Sequence, residues 1–105
     1  MGLDIGCDMR GMLSFHILYL LSKKAMHGDE LAVEIGKRRG EKPKAGTIYP
    51  ALKQLQDRGL IKGKRIGKVI QYSLTKNGKK SVDNAMEYFF KCFGGIFEDC
   101  KNREC

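Results

Sequence analysis

The chain has 105 residues, which is enough for one domain built around a single hydrophobic core. Its formal charge of +8 is too basic for a typical enzyme and favours a polyanionic partner such as a nucleic acid. The longest apolar run, residues 11–21, is interrupted by Ser14 and His16 and is shorter than the ~18 residues that a membrane span needs, so no membrane partner is expected. Asp4 and Asp8 precede that run, unlike the basic start of a secretory signal, and a cytoplasmic protein is therefore expected.

The positive charge is concentrated in the middle of the chain. Residues 37–80 contain fourteen Lys or Arg and only two acids, Glu41 and Asp57, which gives a local balance of +12. The remaining residues therefore sum to −4. This clustering is typical of an electrostatic surface that binds nucleic acid, and a merely solvated face is the alternative interpretation.

Two helices are predicted in the first forty residues. Residues 11–22 carry apolar side chains around most of a helical surface, which indicates a helix buried on more than one side. Residues 27–39 place Leu31 and Ile35 at helical spacing behind two acids in the first turn, and Gly40 predicts the end of this second helix.

A third helix is predicted to begin at Thr47, whose hydroxyl can cap it, and to end before Gly59. Pro50 is compatible with this helix because we expect it to lie in the first turn. The inner face of the helix is formed by Ile48, Leu52 and Leu55.

A hairpin and a long last helix follow. Residues 60–66 and 69–74 are β-prone and are separated by two residues, the spacing of a tight turn. Thr75 can cap the last helix, which carries four of the five phenylalanines of the chain. Its heptad seam, at alternating steps of four and three, consists of Val82, Met86, Phe89, Phe93, Ile96 and Cys100. This apolar surface exceeds what so small a domain can cover, so a partner helix is implied.

The order of elements predicts a mainly α fold with a small β-hairpin, namely a winged helix-turn-helix with a long C-terminal dimerisation helix. We place the DNA-binding domain at residues 1–75 and the dimerisation helix with its tail at residues 76–105. In this fold the third helix enters the major groove of double-stranded DNA, and the hairpin contacts the backbone or an adjacent groove.

Polar residues fit these positions. Gln54 can pair with an adenine edge and Lys53 with a guanine or a phosphate, whereas an ordinary solvated helix face is the alternative. The predicted DNA-binding residues are Lys44, Thr47, Tyr49, Lys53, Gln54, Arg58, Lys64, Arg65 and Lys68.

Four short stretches also carry a family resemblance. They are GTIYPALKQL at residues 46–55, GLI at residues 59–61, YSLTKNG at residues 72–78 and, more weakly, HGDEL at residues 27–31. With these motifs the chain resembles the PadR-like transcriptional regulators, especially the short members with a single C-terminal helix.

The resemblance implies a homodimer that represses transcription by binding a palindromic operator. By position, Thr47, Tyr49 and Lys53 look like recognition-helix contacts and Lys68 like a wing contact. Many members have an aromatic residue at the position of Asp29, and basic or aromatic residues at positions 69–71, so no contacts are carried over from there.

The resemblance also implies that the last helix packs on the partner subunit and on its first helix. The predicted dimer interface therefore consists of Phe15, Val82, Met86, Phe89, Phe93, Ile96 and Phe97. Relatives respond to phenolic acids or flat hydrophobic drugs, which implies a small hydrophobic effector, although this chain has no Trp to form an aromatic clamp.

Other functions compete with this interpretation. A winged helix can serve as a protein-interaction module without specific DNA binding. An enzyme is not expected, because His16 and His27 lack a carboxylate pair or nucleophile motif, and no cofactor or metal is predicted.

A cysteine-based redox or metal-responsive regulator is a further alternative, since Cys92, Cys100 and Cys105 lie on or after the last helix, with Cys7 far from them in sequence. Cys92 and Cys100 lie about 12 Å apart along a helix, so they cannot bridge each other. We interpret the cysteines as the result of packing or of chance.

Overall fold

The computed structural model describes residues 9–102 of the chain, with side chains described for residues 12–100. In chain order its elements are α1 (Met9–Leu21), β1 (Met26–His27), α2 (Gly28–Arg39), α3 (Ala45–Asp57), β2 (Ile61–Ile66), β3 (Val69–Leu74) and α4 (Lys76–Asn102). Three helices, a hairpin and a long final helix confirm the predicted fold class. Cys7 and Cys105 lie outside the described residues.

The helix α1 lies at the centre of the fold and packs against α2, α3, β3 and α4. Leu13, Ile17 and Leu20 are buried on it, because its apolar residues are distributed around the helix rather than along one stripe. The same core takes residues from every other element, namely Met26, Leu31, Ala32, Ile35, Ile48, Ala51, Leu52, Leu55, Ile61, Tyr72 and Val82.

The helix α2 is capped at both ends by residues adjacent to it or within its first turn. The backbone N–H of Glu30 donates to Nδ1 of His27 at 3.3 Å, and the His27 N–H donates to the Glu30 carboxylate at 3.0 Å, which forms a capping box. Gly40 ends the helix in the left-handed region, with φ of 85°, as predicted. The capping role of His27 was not predicted, because histidine is not a typical N-cap residue.

The N-cap of helix α3 lies three residues earlier than expected. Lys44 is its N-cap residue and makes no side-chain capping bond, whereas Thr47 lies inside the first turn and donates its N–H to the Lys44 carbonyl at 2.9 Å. The predicted Thr47 cap is therefore wrong. Pro50 consequently lies in the second turn, not the first, and has no N–H for the carbonyl of Gly46. Gly46 is exposed, so solvent can satisfy that carbonyl.

The end of α3 is fixed by a Schellman motif. The N–H of Leu60 donates to the Leu55 carbonyl at 3.0 Å, and the N–H of Gly59 donates to the Gln56 carbonyl at 2.9 Å. Gly59 has φ of 76°, a conformation that a side chain would strain. The prediction that Gly59 terminates this helix is confirmed.

The antiparallel sheet has the strand order β1-β3-β2. The hairpin register pairs Ile61 with Leu74 and Ile66 with Val69, and Gly67 opens the two-residue turn with φ of 64°. The strand β1 was not predicted, because two residues are too few to show an alternating pattern. Its pairing with β3 connects the start of α2 to the hairpin.

Thr75 caps α4, as predicted. Its Oγ1 accepts the N–H of Gly78 at 3.0 Å and donates to the Gly59 carbonyl at 2.6 Å. A Cβ at Gly78 would collide with the backbone of Leu60, so the start of α4 lies directly on the chain that links α3 to β2. Within residues 9–102, no helix combines the length and the hydrophobicity needed to cross a membrane.

Candidate nucleic-acid interface

The helix α3 separates its side chains into a buried and an exposed face. Ile48, Leu52 and Leu55 are each 1% exposed and form part of the core. With its large aliphatic side chains buried in this way, the helix offers a partner a face that is mainly polar. The predicted contacts on or next to this helix are all exposed, namely Lys44, Thr47, Tyr49, Lys53, Gln54 and Arg58.

A shallow groove runs along the exposed face of α3 beside Ser14 of α1. Within it, Nζ of Lys53 lies 3.5 Å from Oδ2 of Asp57, and both side chains are exposed. An exposed ion pair of this kind contributes little to stability. Lys53 can therefore exchange Asp57 for a phosphate at little cost.

We call the hairpin of β2, its turn and β3 the wing. Its predicted contacts Lys64, Arg65 and Lys68 are all exposed. No Asp or Glu occurs anywhere between Arg58 and Val82, so no carboxylate within the wing competes for these cations. The wing thus presents uncompensated positive charge, which suits a phosphate backbone.

The wing also exposes aliphatic side chains that the sequence analysis did not single out. Ile66 and Val69 face each other across the strands next to the turn, and Ile70 lies opposite Arg65. A directly opposed aliphatic pair stabilises a hairpin. The signal was available, because a β-branched pair flanking a two-residue turn is typical of such a pairing.

A cleft of about 280 Å³ separates α3 from the wing. Its lining comes from β1, the start of α2, α3, the hairpin turn and β3, and consists of His27, Gly28, Asp29, Tyr49, Lys68, Val69, Ile70 and Tyr72. Burial is the main cause that raises the pKa of Tyr72, and the nearby Tyr49 hydroxyl adds to it. The structure thus brings the predicted contacts Tyr49 and Lys68 to the two sides of one cleft.

The heptad seam of α4 is used partly inside the subunit. The rings of Phe15 and Phe89 stack with centroids 6.0 Å apart, and Phe89 contacts Phe93 at 4.8 Å. Val82 is 0% exposed and belongs to the subunit's own core. Because Val82 has no surface left for a partner, we remove it from the predicted dimer interface.

The rest of the seam remains exposed. Met86 and Ile96 of the seam are exposed, as is Phe97, which was predicted to lie in the interface beside the seam. Phe90 is 72% exposed although it was not among the predicted interface residues. At 100° per residue, Phe90 and Phe97 lie on one flank of the seam, beside Phe15. The exposed apolar surface of α4 is therefore broader than the heptad positions alone.

Comparison with known proteins agrees with this arrangement. The model of the transcriptional regulator PadR-like family matches residues 17–84, about two thirds of the chain. The chain belongs to the PadR-like family. It is therefore a transcriptional regulator of the winged-helix type, and the resemblance seen in its motifs is confirmed. No curated protein matches the sequence.

Solved structures similar to this PadR-like chain include RosR from H. salinarum, with a TM-score of 0.74 and 28% identity over 82% of this chain and 81% of that one. A regulator from Thermoplasma acidophilum has a TM-score of 0.69 and 26% identity over 87% and 93% of the two chains. A PadR family regulator from Clostridium difficile has a TM-score of 0.70 and 26% identity over 83% and 99%. These regulators share the fold over most of their length.

The PadR-like chain has a second, more apolar groove of about 550 Å³ between α1 and α4. It lies between Phe15 and Tyr19 on one side and Phe90 and Phe97 on the other. His16 also lines it, and burial, then Arg38 and Arg39, lower the pKa of this histidine. Nδ1 of His16 is buried and, among the described residues, has no hydrogen-bond partner.

The cysteines of the PadR-like chain are spread along α4. Cys92 and Cys100 are both exposed, so they do not contribute to the core as packing residues within the subunit. Packing in the core of the subunit is therefore wrong for these two cysteines, whereas packing against a partner and chance remain as interpretations. No group of three or more His, Cys, Asp and Glu side chains suited to a metal ion occurs in the part of the chain that the structure describes.

Proposed function

We propose that this PadR-like regulator binds double-stranded DNA as a homodimer and represses transcription from a palindromic operator. The observation that carries the proposal is that Tyr49 of α3 and Lys68 of the acid-free wing border the same cleft. The protein then acts as a regulator rather than an enzyme. The cytoplasmic location expected from the sequence remains part of the proposal, because a repressor must reach the chromosome.

In this proposal α3 lies in the major groove, where Lys53 and Gln54 meet base edges and Tyr49 donates its hydroxyl to a phosphate. Lys64, Arg65 and Lys68 contact the adjacent backbone. Support comes from exposure: each of these side chains is solvent-accessible, and the opposite face of α3 is held in the core.

Dimerisation supplies the second half of the site. Two recognition helices about 34–36 Å apart read successive turns of the same side of DNA, which a single small domain cannot do. The exposed flank of α4 supports this arrangement, because Phe90 and Phe97 are 72% and 50% exposed and each can gain that fraction of the about 1.5–3 kcal/mol that full burial of a phenylalanine contributes. The proposed interface comprises Phe15, Met86, Phe89, Phe93, Ile96 and Phe97, with Phe90 added.

A small hydrophobic effector fits the same proposal. The groove between α1 and α4 is lined mostly by aromatic side chains, and it adjoins the proposed dimer interface. A flat apolar molecule bound there would contact residues that also belong to the proposed dimer interface, such as Phe15 and Phe97. Its binding could therefore change the distance between the two recognition helices.

The proposal is tested by incubating the purified protein with fragments of its own genome and measuring binding to retained fragments by fluorescence anisotropy. We expect a palindromic site, and an affinity that falls about 1000-fold or more between 50 and 200 mM salt if six or more phosphates are contacted. Analytical ultracentrifugation of the complex should give two chains per site. Salt-insensitive or sequence-independent retention would contradict the proposal and favour a protein-interaction module.

A further inference from the structure

Gly28, the first residue of α2, lies directly under the ring of Tyr49. A Cβ built at Gly28 would lie 2.5 Å from Oη of Tyr49 and 2.7 Å from both Cε1 and Cζ. Real Cβ atoms do not approach other atoms so closely, so any side chain at position 28 must displace the tyrosine ring. The backbone does not require glycine here, because the φ angle of Gly28 lies outside the left-handed region.

Tyr49 rests on Gly28 and still exposes 44% of its surface. Its ring lies between the first turn of α2 and the cleft whose far side is formed by Val69 and Ile70 of the wing. Tyr72 of β3 lines the same cleft as Tyr49, and its pKa is raised, first by burial and then by the nearby Tyr49.

The wing side of this cleft is tied to α2 through the backbone. Met26 pairs with Tyr72, and His27 pairs with Gln71, immediately ahead of Gly28. The start of α2 therefore has a fixed position relative to β3. Because the Tyr49 ring rests on Gly28, its position sets the distance of α3 from the start of α2, and through the pairing of β1 with β3 the distance of α3 from the wing.

From this geometry we propose that Gly28 is a positioning residue that seats Tyr49, and that the seated ring holds the recognition helix and the wing at the spacing DNA requires. This inference rests on the proposed DNA binding. Gly28 has no side chain to offer DNA, and it acts only through Tyr49. The sequence did not predict this positioning role, because a glycine at the start of a helix is usually explained by the backbone conformation it allows.

The first test uses the free protein and needs no DNA. In NMR spectra of the full chain we expect strong NOEs between the Gly28 Hα protons and the Tyr49 ring. In Gly28→Ala we expect these NOEs to disappear and the Tyr49 ring resonances to shift. The methyl resonances of Val69 and Ile70 should shift as well. Absence of the NOEs in the unmodified protein would overturn the proposal whether or not any variant folds or binds DNA.

The second test measures affinity for the retained DNA fragment. Displacing Tyr49 costs one hydrogen bond to a charged phosphate, so Gly28→Ala should bind about tenfold to a hundredfold more weakly. The fold should persist, because the displaced atoms are the far end of a side chain. Gly95→Ala is the matched control, since a Cβ at Gly95 meets nothing within 4 Å.

A double-mutant cycle separates positioning from a general structural effect. Once Tyr49→Ala removes the ring, adding Gly28→Ala should change the affinity by less than about twofold. An equal loss in both backgrounds, or unchanged binding of Gly28→Ala alone, would refute the positioning role. If no variant and no unmodified protein binds DNA, the proposed function fails, and the NOEs still decide whether Gly28 seats Tyr49.

Discussion

The helices α3 and α4 are both amphipathic, but α3 buries its apolar face in the subunit whereas α4 leaves much of its apolar face exposed. On α3 the apolar residues Leu52 and Leu55 are completely covered by the subunit. On α4 the apolar residues Ile96 and Phe97 remain 57% and 50% exposed. Apolar residues at helical spacing therefore pack into the core in α3, whereas in α4 they form an exposed surface that a partner can cover.

The difference indicates which kind of partner each region suits. A helix that exposes polar side chains beside an acid-free wing suits a charged, hydrated polymer. A helix that exposes phenylalanines suits a surface that excludes water, such as a second copy of the chain. Each half of this comparison can be tested separately by substitution.

The largest effect is expected at the exposed flank of α4. Phe97→Asp removes an apolar side chain and places a charge in the proposed interface of both subunits, so dimerisation should weaken at least about a hundredfold. Operator affinity should fall with it. Sedimentation equilibrium and anisotropy measure both quantities. Asn84→Asp is the matched control, because Asn84 is exposed on the opposite side of α4. A dimeric Phe97→Asp protein would assign the phenylalanine flank to another partner.

The buried face of α3 should respond as a core. Leu52→Ala creates a cavity at a residue that is 1% exposed, and the free energy of unfolding should fall by about 2–5 kcal/mol. Urea denaturation followed by circular dichroism measures this loss. A change below about 0.5 kcal/mol would mean that α3 is not held by this face. Gln56→Ala, at an exposed position of the same helix, provides the control.

The wing cations should have a smaller effect that depends on salt. Lys64→Ala and Lys68→Ala should each reduce the slope of log affinity against log salt by about 0.9, because each removes one phosphate contact. Stability should stay nearly constant, since both side chains are exposed. Lys91→Ala removes a cation from α4 and should leave the slope unchanged. An unchanged slope in both wing variants would exclude the wing from DNA contact.

The smallest effect concerns pH and the groove between α1 and α4. Burial, with Arg38 and Arg39, holds the pKa of His16 below its ordinary value, so the unfolded chain binds this proton more readily than the folded one. Above a pH of about 6.5 His16 is neutral in both states, and its protonation does not lower the free energy of unfolding. As the pH falls through that value towards the folded pKa, the unfolded chain takes up the proton first and the free energy of unfolding decreases. Urea midpoints between pH 8 and pH 5 should fall less in His16→Gln. If the urea midpoints of the unmodified protein and of His16→Gln changed equally with pH, His16 would not be the group responsible for the pH dependence.

Much of the fold and the candidate surface could be predicted from local patterns. Gly40 and Gly59 end α2 and α3 because each adopts the left-handed conformation that glycine tolerates. Thr75 caps α4, and Gly67 opens the turn of the wing. These features depend on neighbours within a few residues, so the sequence contains all the information they need.

Start sites without a strong capping residue were predicted less well. Lys44 begins α3 without a side-chain bond, and so the nearby threonine, Thr47, was mistaken for the cap. Likewise, β1 consists of two residues and exists only because β3 lies beside it. In both cases the energy that selects the element comes from packing and pairing rather than from local propensity.

The sequence by itself determined the order of the four helices and the hairpin, the basic middle and the family, because periodicity, turn chemistry and charge are properties of neighbouring residues. Only the tertiary structure decided that Val82 belongs to the core, that Phe90 is exposed and that Gly28 lies under Tyr49. The reason is physical: exposure and close approach depend on which distant segments meet, and a linear pattern does not contain those distances.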